Sequence, residues 1–156
     1  KSPNKIRPII NLAHAYTTFG SFDLAIQYYE KAMKINSKIF STNYNLGNLY
    51  LERGREEEAI GLLETAALIR PNNPEVNILL GEVYLKRKTI DRAEFYFKKA
   101  VELNPKYALA MKNLGIIYYF HLKKNKEARV FFSRSLSIDP NQQGADNIRI
   151  LIKQIK

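Results

Sequence analysis

The chain repeats itself every 34 residues. Tyrosine marks the period at four positions, Tyr16, Tyr50, Tyr84 and Tyr118. A small residue stands three positions before each tyrosine, at Ala13, Gly47, Gly81 and Gly115. Self-similarity at a fixed period of roughly 20–50 residues is typical of arrays in which each unit stacks only on its neighbours. The period therefore predicts a repeat protein, and 46% hydrophobic residues are enough to give such an array a folded core.

Each unit predicts two amphipathic helices. In the third unit, Leu80, Gly81 and Tyr84 share one stripe of a first helix. A second segment repeats alanine, a large apolar residue and a small residue. Its members are Ala25, Tyr29 and Ala32, then Ala59, Leu63 and Ala66, then Ala93, Phe97 and Ala100, then Ala128, Phe132 and Ser135. The small residues allow the two helices to approach closely, and the large residue fills the space between neighbouring pairs.

Turn residues follow the first helices. Gly20 and Gly54 suit a left-handed C-cap, whereas Lys88 at the same place in the third unit is less favourable. The fourth unit has one extra residue before its second segment. We expect this residue to lengthen the turn around residues 122–126, where Asn125 is best able to take a positive φ.

This pattern resembles the tetratricopeptide repeat, a 34-residue helix–turn–helix, over residues 6–142. The resemblance implies an all-α, right-handed α-solenoid that forms a single domain over residues 1–156. Its units are expected at residues 6–39, 40–73, 74–107 and 108–142. The family's tryptophan at the fourth position is replaced by Ile9, Asn43, Asn77 and Met111.

Residues 143–156 predict a terminal helix rather than a fifth unit. Ile148, Leu151, Ile152 and Ile155 fall on one face. A solenoid needs a terminal element with one polar face, which favours a capping helix. The alternative is a helix that binds a partner or a second copy, and weak self-association through the solenoid ends is a related expectation.

Several chemical functions are excluded by composition. The chain has no cysteine and only two histidines, His14 and His121, so neither a metal site nor a cofactor is expected. No nucleophile, phosphate-binding or dinucleotide motif is present, and Glu56, Glu57 and Glu58 are interpreted as a solvated cluster at a helix start. We therefore predict that the segment is not an enzyme.

The formal net charge of +10 raises the question of nucleic acid or an anionic surface as partner. The excess is graded along the chain: residues 40–73 carry a net −2 and residues 108–142 a net +4. A graded excess favours a solvated face over a phosphate track, so this class of function is the least favoured.

In the resembling family, first helices line a concave groove that binds peptides. By analogy, the residues expected to bind a peptide here are Asn11, His14, Tyr44, Asn45, Asn48, Ile78, Glu82, Lys112, Asn113 and Tyr119. A carboxylate clamp for chaperone tails is absent, because the clamp positions lack their lysine and basic residues. An asparagine ladder, as in the repeat region of O-GlcNAc transferase, is matched by Asn11, Asn45 and Asn113 and broken by Leu79.

These observations predict a protein–protein interaction module that binds a peptide segment in the groove. The alternative is a structural or assembly domain of a larger, possibly membrane-anchored protein. Residues 2–8 resemble the segment that precedes the repeats in some bacterial glycosyltransferase-like membrane proteins, which would make this a piece of a longer chain outside the cytoplasm. The longest apolar run, residues 116–120, is too short to insert into a membrane. The compartment, cytoplasmic or extracytoplasmic, stays open.

Overall fold

The computed structural model describes residues 5–155, and all of its regular structure there is helical. Four helices precede Asn73: α1 (Ile6–Thr18), α2 (Phe22–Ile35), α3 (Phe40–Glu52) and α4 (Glu56–Ile69). Five follow: α5 (Pro74–Lys86), α6 (Ile90–Leu103), α7 (Ala108–Ile116), α8 (Asn125–Ile138) and α9 (Ala145–Gln154). A π-helical turn, Ile117–His121, continues α7. The all-α repeat fold is confirmed.

The chain divides into two compact units between Asn72 and Asn73. In the first unit, α1 packs on α2, α2 on α3 and α3 on α4; in the second, α5 packs on α6, α6 on α7, α7 on α8 and α8 on α9. Each unit thus contains two helix pairs of the predicted kind. That residues 1–156 form a single domain stays a prediction.

Large side chains of the second helices form the centre of each pair. Tyr29, Leu63, Phe97 and Phe132 are all fully buried. The glycines of the first helices face them: a Cβ built on Gly81 would lie 2.7 Å from the Phe97 ring, and one on Gly115 would lie 2.5 Å from the Phe132 ring. In these repeats, the large side chain of the second helix approaches the first helix so closely that only a small residue fits opposite it.

The expected long turn in the fourth repeat is wrong. The four turns between paired helices have the same length, and their left-handed residues are Gly20, Gly54, Lys88 and Lys123. Asn125 instead begins α8. The extra residue is absorbed by the π-helical turn, where the amide of Leu122 donates to the carbonyl of Ile117. A π-turn adds one residue to a helical turn, so the second helix keeps its register without a longer loop.

The terminal helix begins after Gly144, which has a left-handed backbone with φ +82°. Its inner face packs on α8 and buries Ala145 and Ile148, while Ile155 is buried just beyond the helix end. This arrangement agrees with the predicted capping role of residues 145–155. Within residues 5–155, every helix is too short or too polar to cross a bilayer.

Candidate functional site

The first unit contributes five of the predicted peptide-binding residues. Asn11 and His14 are exposed on α1, and Tyr44, Asn45 and Asn48 are half-buried on α3. Asn48 donates to the carboxylate of Glu52 at 3.2 Å, so part of its hydrogen-bonding capacity is already used. Tyr44 stacks on Phe40 with ring centroids 5.7 Å apart. This surface is polar and aromatic.

Asn45 has a partner that the sequence did not reveal. Its side-chain amide donates to the hydroxyl of Tyr29 at 3.0 Å. Burial raises the pKa of Tyr29, and its hydrogen bonds with Thr17 and Asn45 oppose that rise. The bond from Asn45 therefore connects α3 to the Tyr29 hydroxyl of α2, which lies near Thr17 of α1. The oxygen of the Asn45 amide stays able to accept a further hydrogen bond.

The second unit contributes the other five residues. Ile78 is buried and Glu82 half-buried on α5, and Lys112 is half-buried on α7. Burial raises the pKa of the Glu82 carboxyl, and the positive charge of Lys112 partly offsets this rise. The two side chains are thus close enough to interact across the pair of first helices. The ammonium of Lys112 also donates to the backbone carbonyl of Gln143 at 3.5 Å.

Asn113 lies on α7 and is 7% exposed. Its amide is not among the buried side-chain groups that lack a hydrogen-bond partner within residues 5–155, which are Thr42 Oγ1, Asn43 Oδ1, Asn77 Oδ1 and Gln142 Oε1. Tyr119 lies in the π-helical turn and contacts the edge of the Phe120 ring at 4.8 Å between centroids.

Two other asparagines, Asn43 and Asn77, are fully buried where the family carries tryptophan. The Asn43 amide donates to the carbonyls of Ser37 and Ile39, at 2.7 and 2.8 Å. The Asn77 amide donates to the carbonyl of Asn73 at 2.8 Å. These side chains fix the start of their helices, so they serve the fold rather than the groove.

A cleft on the first unit was also missed by the sequence analysis. It lies between α2, α3 and α4 and encloses about 510 Å³. Its lining residues are Glu30, Met33, Lys34, Leu46, Tyr50, Glu57, Glu58, Gly61 and Leu62. A glycine in the middle of a predicted helix was the one available signal, because glycine weakens a helix unless space or approach requires it.

Within the part of the chain that the structure describes, no group of three His, Asp or Glu side chains could hold a metal ion. The acidic residues Glu56, Glu57 and Glu58 occupy the first turn of α4, as predicted, where the helix dipole favours negative charge.

The chain is similar to several solved structures. One MamA structure matches with a TM-score of 0.84 and 23% identity, over 99% of this chain and 87% of that one. MamA 41-end from Desulfovibrio magneticus RS-1 matches with a TM-score of 0.79 and 21% identity, over 90% and 79%. PilF of Pseudomonas aeruginosa matches with a TM-score of 0.77 and 20% identity, over 96% and 67%. At such identities the likeness establishes the fold.

Among curated proteins, human tetratricopeptide repeat protein 6 is 43% identical over 47 residues, which are 30% of this chain. The match spans only 9% of that protein's length. The resemblance of residues 2–8 to glycosyltransferase-like membrane proteins receives no support from these comparisons, and residues 2–4 lie outside the described part of the structure.

Family profiles agree with the period read from the sequence. Profiles described as tetratricopeptide repeat match residues 16–83, 50–96 and 78–143. Together they extend over most of the chain and over both compact units. The chain therefore belongs to the tetratricopeptide repeat family.

Proposed function

We propose that this chain binds an extended peptide segment of a partner protein along the inner faces of its first helices. Tetratricopeptide repeats typically mediate protein–protein interactions and are generally not enzymes. The inner faces are those of α1 and α3 in the first unit and of α5 and α7 in the second.

The observation that supports this proposal best is the amide of Asn113. A side-chain amide carries two donor hydrogens and an acceptor oxygen, so it can pair with the N–H and C=O of one peptide unit together. Asn113 holds both groups at a nearly closed site without any described partner. A peptide backbone would supply hydrogen bonds to both groups.

Glu82 and Lys112 would add a preference for charged ligand residues next to this backbone contact. Lys112 lies next to Asn113 in the sequence and favours an acidic ligand residue, while Ile78 supplies apolar contact. Because contacts to the backbone do not depend on ligand side chains, we expect several peptide sequences to bind, with the strongest binders carrying Asp or Glu.

The test begins with short random peptides displayed on phage and selected against the whole chain. Affinities of the selected peptides are then measured for the parent and for the double variant Asn45→Ala with Asn113→Ala. Each lost hydrogen bond is worth roughly 0.5–1.5 kcal/mol, so we expect the double variant to bind about 5- to 150-fold more weakly.

Asn147→Ala is the matched control, because Asn147 is an exposed asparagine on α9 and is not one of the predicted peptide-binding residues. Its affinity should equal that of the parent, and helicity should be unchanged in all variants. Selected peptides that bind the double variant as tightly as the parent would overturn the proposal.

A further inference from the structure

Two surfaces of opposite charge lie outside the set of predicted peptide-binding residues. The first is the cleft on the first unit, whose walls include the methionine and leucine side chains Met33 and Leu62. Three carboxylates border it, Glu30, Glu57 and Glu58, against the single amine of Lys34. An acidic border is unusual in a chain with a net charge of +10.

Gly61 lines this cleft on the α4 side. A Cβ built on Gly61 would meet no atom within 4 Å, so no neighbouring residue requires glycine there. The equivalent positions of the other second helices carry Gln27, Phe95 and Val130. Glycine in a helix interior is unfavourable by comparison with any of these residues. Its consequence here is space for the side chains of another molecule.

The second surface is a basic face on α8. Lys126, Arg129 and Arg134 border an open depression of about 500 Å³, together with Val130, Ser133 and Ile155. The side chains of the three basic residues have no hydrogen bond or ion pair within residues 5–155. Val130 is 55% exposed between them, although it is apolar. This face therefore combines unpaired positive charge with exposed apolar surface.

We propose that the basic face of α8 in one copy of the chain docks on the cleft of a second copy. The two surfaces are of opposite charge, and both contain apolar area. Lysine and arginine can lay their methylene stems on apolar surface while their charged ends reach carboxylates. Glu30 already accepts from Tyr50, and Glu58 pairs with Arg55, but each carboxylate can accept several hydrogen bonds.

The acidic cleft lies in the less basic half of the chain. Residues 1–72 carry nine basic and seven acidic residues, whereas residues 73–156 carry sixteen and eight. The cleft and the basic face are different patches, which gives each copy two contact surfaces. A heterologous contact, in which one copy's cleft meets one neighbour and its α8 meets another, produces rings or open chains of copies.

The first measurement is the mass of the whole chain in solution by sedimentation, over a range of concentrations and at low salt. We expect the average mass to rise with concentration beyond that of a dimer. High salt should reverse the association, because screening weakens contacts between exposed charges. A chain that stays monomeric at all concentrations in low salt would overturn the proposal.

Two variants test the two surfaces separately, because each variant disables only one of them. Gly61→Phe closes the cleft with the side chain that the third repeat carries at the same position. Arg129→Glu with Arg134→Glu reverses the charge of the basic face. Each variant alone should be monomeric, since one of its two surfaces is lost. An equimolar mixture should form dimers and nothing larger, because only one intact cleft can meet one intact basic face.

Gly61→Ala is the matched control, because a single methyl group leaves most of the cleft open, and this variant should associate like the parent. Glu58→Lys provides a second way to disable the cleft if Gly61→Phe loses helicity. A mixture that stays monomeric, or variants that associate like the parent, would contradict the head-to-tail contact. Peptide selection on the inner faces is unaffected by these variants, so the two proposals fail separately.

Discussion

The two compact units form the same kind of helix pair with different residues at their turns. In the first unit, both left-handed turn residues are glycines, Gly20 and Gly54, with φ +73° each. In the second unit they are lysines, Lys88 and Lys123, with φ 59° and 56°. A side chain disfavours this conformation by roughly 1–2 kcal/mol. The second unit therefore carries backbone strain that the first avoids.

The inner faces of the first helices also differ between the two compact units. Asn45 and Asn113 hold equivalent repeat positions, as do Tyr29 and Phe97 in the preceding second helices. The hydroxyl of Tyr29 accepts from Asn45, but phenylalanine has no hydroxyl, and Asn113 makes no side-chain hydrogen bond within the described residues. The hydroxyl oxygen of Tyr29 thus separates an amide with a hydrogen-bond partner from one for which none is described.

The largest expected effect comes from replacing both asparagines with leucine, the residue that the third repeat carries there as Leu79. Asn113→Leu exchanges polar for apolar area at a site that is only 7% exposed and breaks no described hydrogen bond, so the free energy of unfolding should rise by about 1 kcal/mol. Asn45→Leu breaks the hydrogen bond to Tyr29, so the same quantity should fall by about 0.5–1.5 kcal/mol. Urea unfolding of each variant measures both values.

The two leucine variants are thus predicted to change the free energy of unfolding in opposite directions, although the two asparagines hold equivalent repeat positions. Two changes of the same sign would show that the hydroxyl of Tyr29 is not what distinguishes the units. The variant Tyr29→Phe serves as a control, because it should destabilise the chain in the parent background and have little effect beside Asn45→Leu.

The turns offer a second and smaller test. Lys123→Gly removes the left-handed strain of a side chain, and we expect a gain in the free energy of unfolding of up to about 1 kcal/mol. Gly54→Lys introduces that strain into the first unit and should cost a similar amount. If both changes leave the midpoint of thermal unfolding unmoved, the left-handed residues do not distinguish the units.

The smallest effect concerns pH. Burial holds the pKa of Glu82 above its ordinary value of 4.5 in the folded chain. The folded state therefore binds the proton more tightly than the unfolded state, and stability falls as pH rises above this value. Glu82→Gln should raise the unfolding temperature at neutral pH, and the gain should disappear below about pH 4.5.

The exposed Glu102 on α6 supplies the control for this measurement, because Glu102→Gln changes charge without removing a buried carboxyl. A gain from Glu82→Gln that is the same at every pH would contradict the assignment, since only a shifted carboxyl produces a gain that depends on pH.

Much of the fold was predictable because it depends on spacing. The 34-residue period, the alanines of the second helices and the glycines beside large side chains all follow from how closely two helices can pack. The extra residue near Leu122 was also visible, but its place was not. Helix hydrogen bonds can absorb one residue in a π-helical turn, and the sequence carries no marker that separates this outcome from a longer loop.

The candidate site was predictable only as a list of positions. The period assigned Asn45 and Asn113 to the same face, whereas the difference between their hydrogen bonds depends on a residue sixteen positions earlier, on another helix. Gly61 was visible in the sequence, yet the cleft beside it required the placement of α2 and α4 around it.

The sequence by itself determined the repeat family, the helix pairs and the terminal helix, because these depend on local periodicity and on residue size. The tertiary structure alone decided which polar groups are paired. Hydrogen bonds form over a few tenths of a nanometre between atoms that are distant in the chain, so a repeat pattern cannot specify them. It also decided where the carboxylates of the cleft meet, because Glu30 lies on α2 whereas Glu57 and Glu58 lie on α4.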